Sequence, residues 1–148
     1  MGVINMLIRN MKEKDLNGVS ILYKSLIGKQ CNAENMAEQF ALISKNDNYI
    51  LLVAEENGKV VGTVMGIRCI TMVSNFNYFM AIEALIVDNE YRGKGISKLL
   101  LLNMENSAKQ VGCSYIILVS GKQREVAHKL YESLGYGKDE AKGYRKFI

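Results

Sequence analysis

The sequence predicts an α/β (α+β) domain: a mixed, mostly antiparallel sheet flanked by helices. Three observations carry the prediction. The 148 residues divide into short β-rich runs and amphipathic helical runs, with no repeat, linker or low-complexity segment to separate domains. Asn57-Gly58 sits between two β-rich runs, a strong signal for an antiparallel hairpin because both residues tolerate positive φ. A helical run then joins "AIEALIV" to the apolar "SYIILVS", the crossover that a parallel strand pair requires.

The elements follow in order. "INMLIR" reads as a first strand. "DLNGVSILYKSLI" carries Leu16, Val19, Leu22, Tyr23 and Leu26 at helical spacing, with Asp15 as its expected N-cap. "AENMAEQFALISK" repeats the pattern through Met36, Phe40 and Ile43, with Asn32 as cap. The two runs around Asn57-Gly58 and a third, "FNYFMAIEALIV", form an antiparallel meander in which Gly66 marks a bulge or bend. A helix from about Gly95 to Gln110 stops at Gly112. "SYIILVS" has the unbroken apolar character of a buried parallel strand. "REVAHKLYESLG" forms a helix with Ala127, Leu130, Tyr131 and Leu134 on one face, and "KGYRKFI" a final strand. The expected order is β-α-α-β-β-β-α-β-α-β, in one domain spanning residues 1–148.

Composition removes several function classes. A net charge of +4 is spread among acidic residues, as in "REVAHKLYE", so no basic stripe points to nucleic acid. Cys31, Cys69 and Cys113 are too few and too scattered for a disulfide framework or a zinc site, and read as small apolar residues. His128 is the single histidine, and a partly exposed helix position explains it. "MGVINMLIRN" lacks the apolar core of a signal peptide, and Met6 stands where myristoylation wants Ser or Thr. With no bilayer-length run, a cytoplasmic chain without a metal and without a membrane partner is expected.

The stretch "YRGKGISKLLL", Tyr91 to Leu101, places two glycines and several cations where a strand hands over to a helix. A helix N-terminus presents unpaired N–H groups and the positive end of its dipole. Gly93 and Gly95 allow close approach of those groups, and Arg92, Lys94 and Lys98 add charge, so the junction suits a phosphate or pyrophosphate. It is neither a Walker A loop, since Asp88 occupies the first glycine position, nor a dinucleotide fingerprint, since Lys98 occupies the third. An ordinary glycine-rich turn with a solvated basic rim would look much the same.

"VDNEYRGKGISKLLL" resembles motif A of the GNAT superfamily of acetyl-CoA-dependent N-acetyltransferases, Arg/Gln-x-x-Gly-x-Gly/Ala, on Arg92, Gly95 and Ser97. Ser97 departs from the usual Gly/Ala. "AHKLYESLGY" resembles motif B, and the two motifs come in the family's order with one strand between them. The resemblance covers the second half of the chain. It implies a parallel central strand pair that splays apart, an acetyl-CoA co-substrate, and a pyrophosphate held by backbone amides of the loop Arg92 to Lys98, Ile96 and Ser97 included. It also implies a pantetheine arm running along the Leu85, Ile86 and Val87 backbone, which would supply the oxyanion donor.

By motif register Tyr131 is the expected acid for the departing thiolate; an ordinary core aromatic is the other reading. Glu83, set among Ala81, Ile82, Ala84 and Leu85 and placed by strict alternation with Leu85 and Val87, is the candidate base; a glutamate in an ion pair would look similar. Arg124 stands where many members of the family have Asn. It could bind a coenzyme phosphate or pair with Glu83 or Glu132. The implied reaction is direct acetyl transfer to a primary amine, more readily a small molecule than a protein. A non-catalytic acyl-CoA sensor on the same scaffold is the alternative, and "KGYRKFI", as an unpaired strand, could contribute to a homodimer edge.

Overall fold

The structure, a computed structural model, describes residues 5–73 and 75–148. The expected start of the first strand at Ile4, and residues 1–4 of the segment read for targeting signals, lie outside the described residues. Two compact units emerge, one through Ile117 and one from Leu118 to Ile148.

The first unit holds a five-stranded sheet in the order β1-β2-β3-β4-β5, with β1 Met6–Asn10, β2 Tyr49–Glu56, β3 Lys59–Ile70, β4 Tyr78–Val87 and β5 Cys113–Leu118. Neighbours from β1 to β4 are antiparallel, and β4 and β5 are parallel. Asn57 and Gly58 have φ of 50° and 83°, which closes the β2–β3 hairpin as the sequence predicts. Contrary to its expected burial, β5 has no fully buried residue, and Tyr115 and Ile117 are exposed. It ends the sheet in the described strand order, so only one neighbour covers it.

Helices α1 Leu16–Ile27 and α2 Ala33–Ile43 lie over one sheet face, where Val19 and Leu16 pack with Met11, Val53, Met36 and Phe40. Asn32 caps α2 by accepting a bond of 2.8 Å from the Asn35 amide. Asp15 does not cap α1. Its carboxylate accepts a two-pronged pair from Arg9 at 2.7 and 2.8 Å and a third bond from the Lys12 amide. That pairing ties β1 to the short 3-10 turn Glu13–Asp15, and Arg9 holds the carboxyl well below its ordinary range.

The opposite face carries α3, Ile96–Gln110, whose Ile96, Leu100, Met104 and Ala108 recur every fourth position and are buried. It fits closely because β3 has glycine beneath it. A Cβ at Gly62 would come within 3.1–3.3 Å of Leu100, Ile96 and Val87, and one at Gly66 would strike the sulfurs of Met104 and Met80. Gly66 therefore serves close approach and marks no bulge. Register shifts occur at Ala54/Glu55 of β2 and between Thr63 and Met65 of β3.

The second unit contains α4, Glu125–Ser133, stopped by Gly135 at φ 93°. The expected strand "KGYRKFI" is absent: residues 141–148 have no regular structure, and Tyr144, Phe147 and Ile148 are exposed. Among the described residues no helix is long and apolar enough to cross a membrane.

Candidate active site

The end of β4 and the start of α3 define the candidate site. Asp88 leaves β4 with its amide on the Val61 carbonyl, and its side chain accepts from the Glu90 amide to open a 3-10 turn, Asn89–Tyr91. Arg92 then folds back and donates from Nε to the Val87 carbonyl at 3.2 Å, tying the loop to the strand it came from. Gly93 and Gly95 both lie in the left-handed region, at φ 78° and 79°. Glycine visits that region without the steric cost most side chains incur, so the loop shape depends on both.

Gly95 is the N-cap of α3 and has no side chain to cap with. The first intrahelical bond runs from the Leu99 amide to the Gly95 carbonyl, which leaves the amides of Ile96, Ser97 and Lys98 at the helix terminus. Apart from the adjoining residues, nothing lies within 4 Å of where a Cβ at Gly93 or Gly95 would stand. The loop is thus an exposed, uncapped helix terminus with open space in front of it and Arg92, Lys94 and Lys98 around it. Such a terminus is suited to bind a phosphate.

The sequence motif of the acetyltransferase (GNAT) family matches residues 17–136, most of the chain. This chain belongs to the GNAT acetyltransferase family. It is therefore an acyltransferase by family, with a sheet and helices that agree. Similar solved structures include a transcriptional regulator from Bacillus halodurans C-125, 26% identical with a TM-score of 0.88, covering 97% of this chain and 100% of that one. A GNAT family acetyltransferase from Staphylococcus aureus is 25% identical with a TM-score of 0.79, covering 97% and 98%. An aminoglycoside N-acetyltransferase in complex with CoA shares the fold at 18% identity and a TM-score of 0.82, covering 100% and 98%.

Within this GNAT chain, β4 departs from simple alternation. Glu83 faces Met65 and Ile86 faces Thr63, so Ala84 and Leu85 together oppose Val64. Ala84 has φ 53°, a left-handed conformation that a non-glycine residue adopts at a cost of about 1–3 kcal/mol. The bulge shifts the phase of the strand. Glu83 shares its face with Ile86, the α1/α2 side, rather than with Leu85 and Val87. It is also exposed, although its sequence neighbours are apolar.

In the second unit Arg124 is the N-cap of α4 and half-buried, with no side-chain hydrogen bond to the helix. Tyr131 is 8% exposed, with its ring edge-on to Tyr136 at 6.1 Å between centroids and 6.4 Å from His128. The three cysteines are free and half-buried.

Two further side chains stand beside the loop, and neither is marked by any local sequence pattern. Glu56, the last residue of β2, is 8% exposed and its Oε1 has no hydrogen-bond partner. Tyr91 receives Lys59 and Lys94 over its ring at 4.9 and 4.8 Å. A glutamate beside an Asn-Gly turn looks like a solvated hairpin end, and nothing local in the sequence signals otherwise.

Proposed function

We propose that this chain moves an acetyl group from acetyl-CoA to a primary amine, a small molecule rather than a protein, by direct transfer in a ternary complex. One observation carries the reading: the α3 terminus is uncapped and has two left-handed glycines with open space above them. Backbone amides reach an anion there without a Cβ in the way, which a pyrophosphate requires. Arg92 to Lys98 and the Leu85–Val87 backbone would hold the coenzyme, with Arg124 contributing to a phosphate. Acetyl-CoA would supply an activated thioester.

An ammonium of pKa about 10.4 must lose a proton before it can attack. Glu83, exposed on the α1/α2 face, would take that proton through water. Tyr131 would donate its phenolic proton as the carbon–sulfur bond breaks, leaving the thiol of CoA and the N-acetylated amine. No protein nucleophile takes part, because the amine attacks the thioester itself. The same proposal treats the chain as one catalytic domain acting in the cytoplasm.

A second reading, a non-catalytic acyl-CoA sensor, is favoured by the description of the 26%-identical Bacillus halodurans protein as a transcriptional regulator. Calorimetric titration with acetyl-CoA, CoA and ATP, followed by an amine-panel assay for free thiol, separates the cases. Binding of both CoA species with amine-dependent thiol release supports transfer. Binding without release on any amine supports the sensor, and no binding of either CoA species removes both readings.

A further inference from the structure

The strand alternation that packs Ala54 and Gly62 beneath α3 also turns Glu56 toward α3, so a carboxylate sits on the core side of the sheet at the end of β2. Burying a charge without hydrogen bonds is costly, and a polar atom left orphaned in this way calls for an explanation. Glu56 Oε1 has no partner, and Oε2 lies 4.0 Å from Lys94 Nζ, an ion pair too long to be a hydrogen bond. The nearby Lys59, opposite Glu56 across the hairpin, instead points its amine at Asp88 Oδ2, 3.4 Å away. Among the described residues, Lys94 is therefore the cation paired with Glu56.

Lys94 is also the one residue between the loop's two left-handed glycines. Its neighbours have no side chains with which to anchor the backbone, so whatever fixes Lys94 fixes the cradle. Its ammonium is held from two sides, by Glu56 and by the Tyr91 ring. We propose that Glu56 is a positioning residue for the coenzyme loop: through Lys94 it holds the Gly93–Lys94–Gly95 backbone in the anion-binding shape before the ligand arrives. The inference rests on the acetyl-CoA reading for its ligand, but not for the loop order it describes. Preorganisation of this kind raises affinity by removing an ordering cost from the binding step.

The test is Glu56→Gln, which keeps the shape and removes the charge, alongside Lys94→Met and the double variant. The expected result is that Glu56→Gln weakens acetyl-CoA about three- to tenfold in calorimetry, and that the double variant is no weaker than the weaker single one, because both act through one contact. Hydrogen exchange of the ligand-free protein should quicken at residues 93–97 in Glu56→Gln and nowhere else. The melting temperature should hold or rise, since a buried charge has been removed. A general structural role would instead lower the melting temperature and quicken exchange throughout the sheet, overturning the inference. So would unchanged or tighter acetyl-CoA binding, additive single effects, or unaltered loop exchange. Should the wild type bind no acetyl-CoA, the functional reading fails, while the exchange measurement still decides whether Glu56 orders the loop.

Discussion

Gly95→Ala separates the conformational role of the α3 terminus from its binding role, because the protein contains its own control. Gly95 at φ 79° and Gly28 at φ 77° have nearly the same backbone, and apart from the adjoining residues neither has an atom within 4 Å of the added Cβ. Gly28 ends α1 as its C-cap, away from the β4–α3 loop in sequence. Placing alanine in the left-handed region costs about 1–2 kcal/mol. Part of that is offset, by about 0.4–1 kcal/mol, because alanine also restricts the unfolded chain. The net loss is on the order of 1 kcal/mol for either variant, a drop in melting temperature of roughly 2–4 °C for a chain of this size. Gly95, unlike Gly28, directly precedes the α3 terminal amides, so only there does the added methyl stand beside the proposed coenzyme seat. Losing one hydrogen bond to a charged phosphate costs about 1.5–3 kcal/mol, or about tenfold in affinity at the least. Thermal melts and acetyl-CoA calorimetry on both variants give the comparison. Equal melting shifts with a selective loss of binding in Gly95→Ala are expected. Wild-type affinity in Gly95→Ala, or an equal loss in Gly28→Ala, would refute the assignment of that space to the coenzyme.

Other substitutions test the remaining roles. Tyr131→Phe should lower turnover about 10²-fold with acetyl-CoA affinity retained, because only the donated proton is removed; unchanged steady-state turnover would remove Tyr131 from the acid role. Glu83→Gln should lower turnover by a similar factor, about 10²-fold, at an unaltered melting temperature, since the side chain is exposed and supports no packing. Equal turnover in the two proteins would exclude Glu83 as base. Asp15→Asn should cost about 3 kcal/mol at neutral pH by breaking a buried pair. The Asp15 carboxyl is depressed below its unfolded value of 3.8, so its contribution is complete above that value and is lost as pH falls through the lower folded one. Denaturation curves of wild type and Asp15→Asn should therefore run parallel above about pH 5 and converge below about pH 4. A gap that persists unchanged into strong acid would contradict the assignment.

What could be read from the sequence was whatever the chain encodes locally. Asn57-Gly58 dictates its turn through two φ angles, and Asn32 caps α2 within four residues. The glycines before α3 announce an uncapped terminus because no cap residue stands there. Features that depend on a distant partner were harder to see. Asp15 has the chemistry of a cap but finds Arg9 on β1 instead. "KGYRKFI" alternates like a strand, yet a strand exists only where another supplies its hydrogen bonds, and residues 141–148 form none. Glu83 was assigned its face by counting in twos, which one extra residue defeats. Glu56 stands beside an Asn-Gly turn, where a solvated side chain is the default, and proved to be buried with Lys94, 38 residues on, as its ion-pair partner.

That extra residue at Ala84 also has an engineering consequence. It acts as a phase shifter within one strand: residues up to Glu83 keep one alternation, and those from Ile86 onward run one step out of time with it. Any face assignment made by counting along β4 must therefore be restarted at Ile86, on the side that leads into the glycine loop. Deleting Ala84 would leave Leu85 alone opposite Val64 with Glu83 still facing Met65 and Ile86 still facing Thr63, so the alternation would become regular without turning either half over.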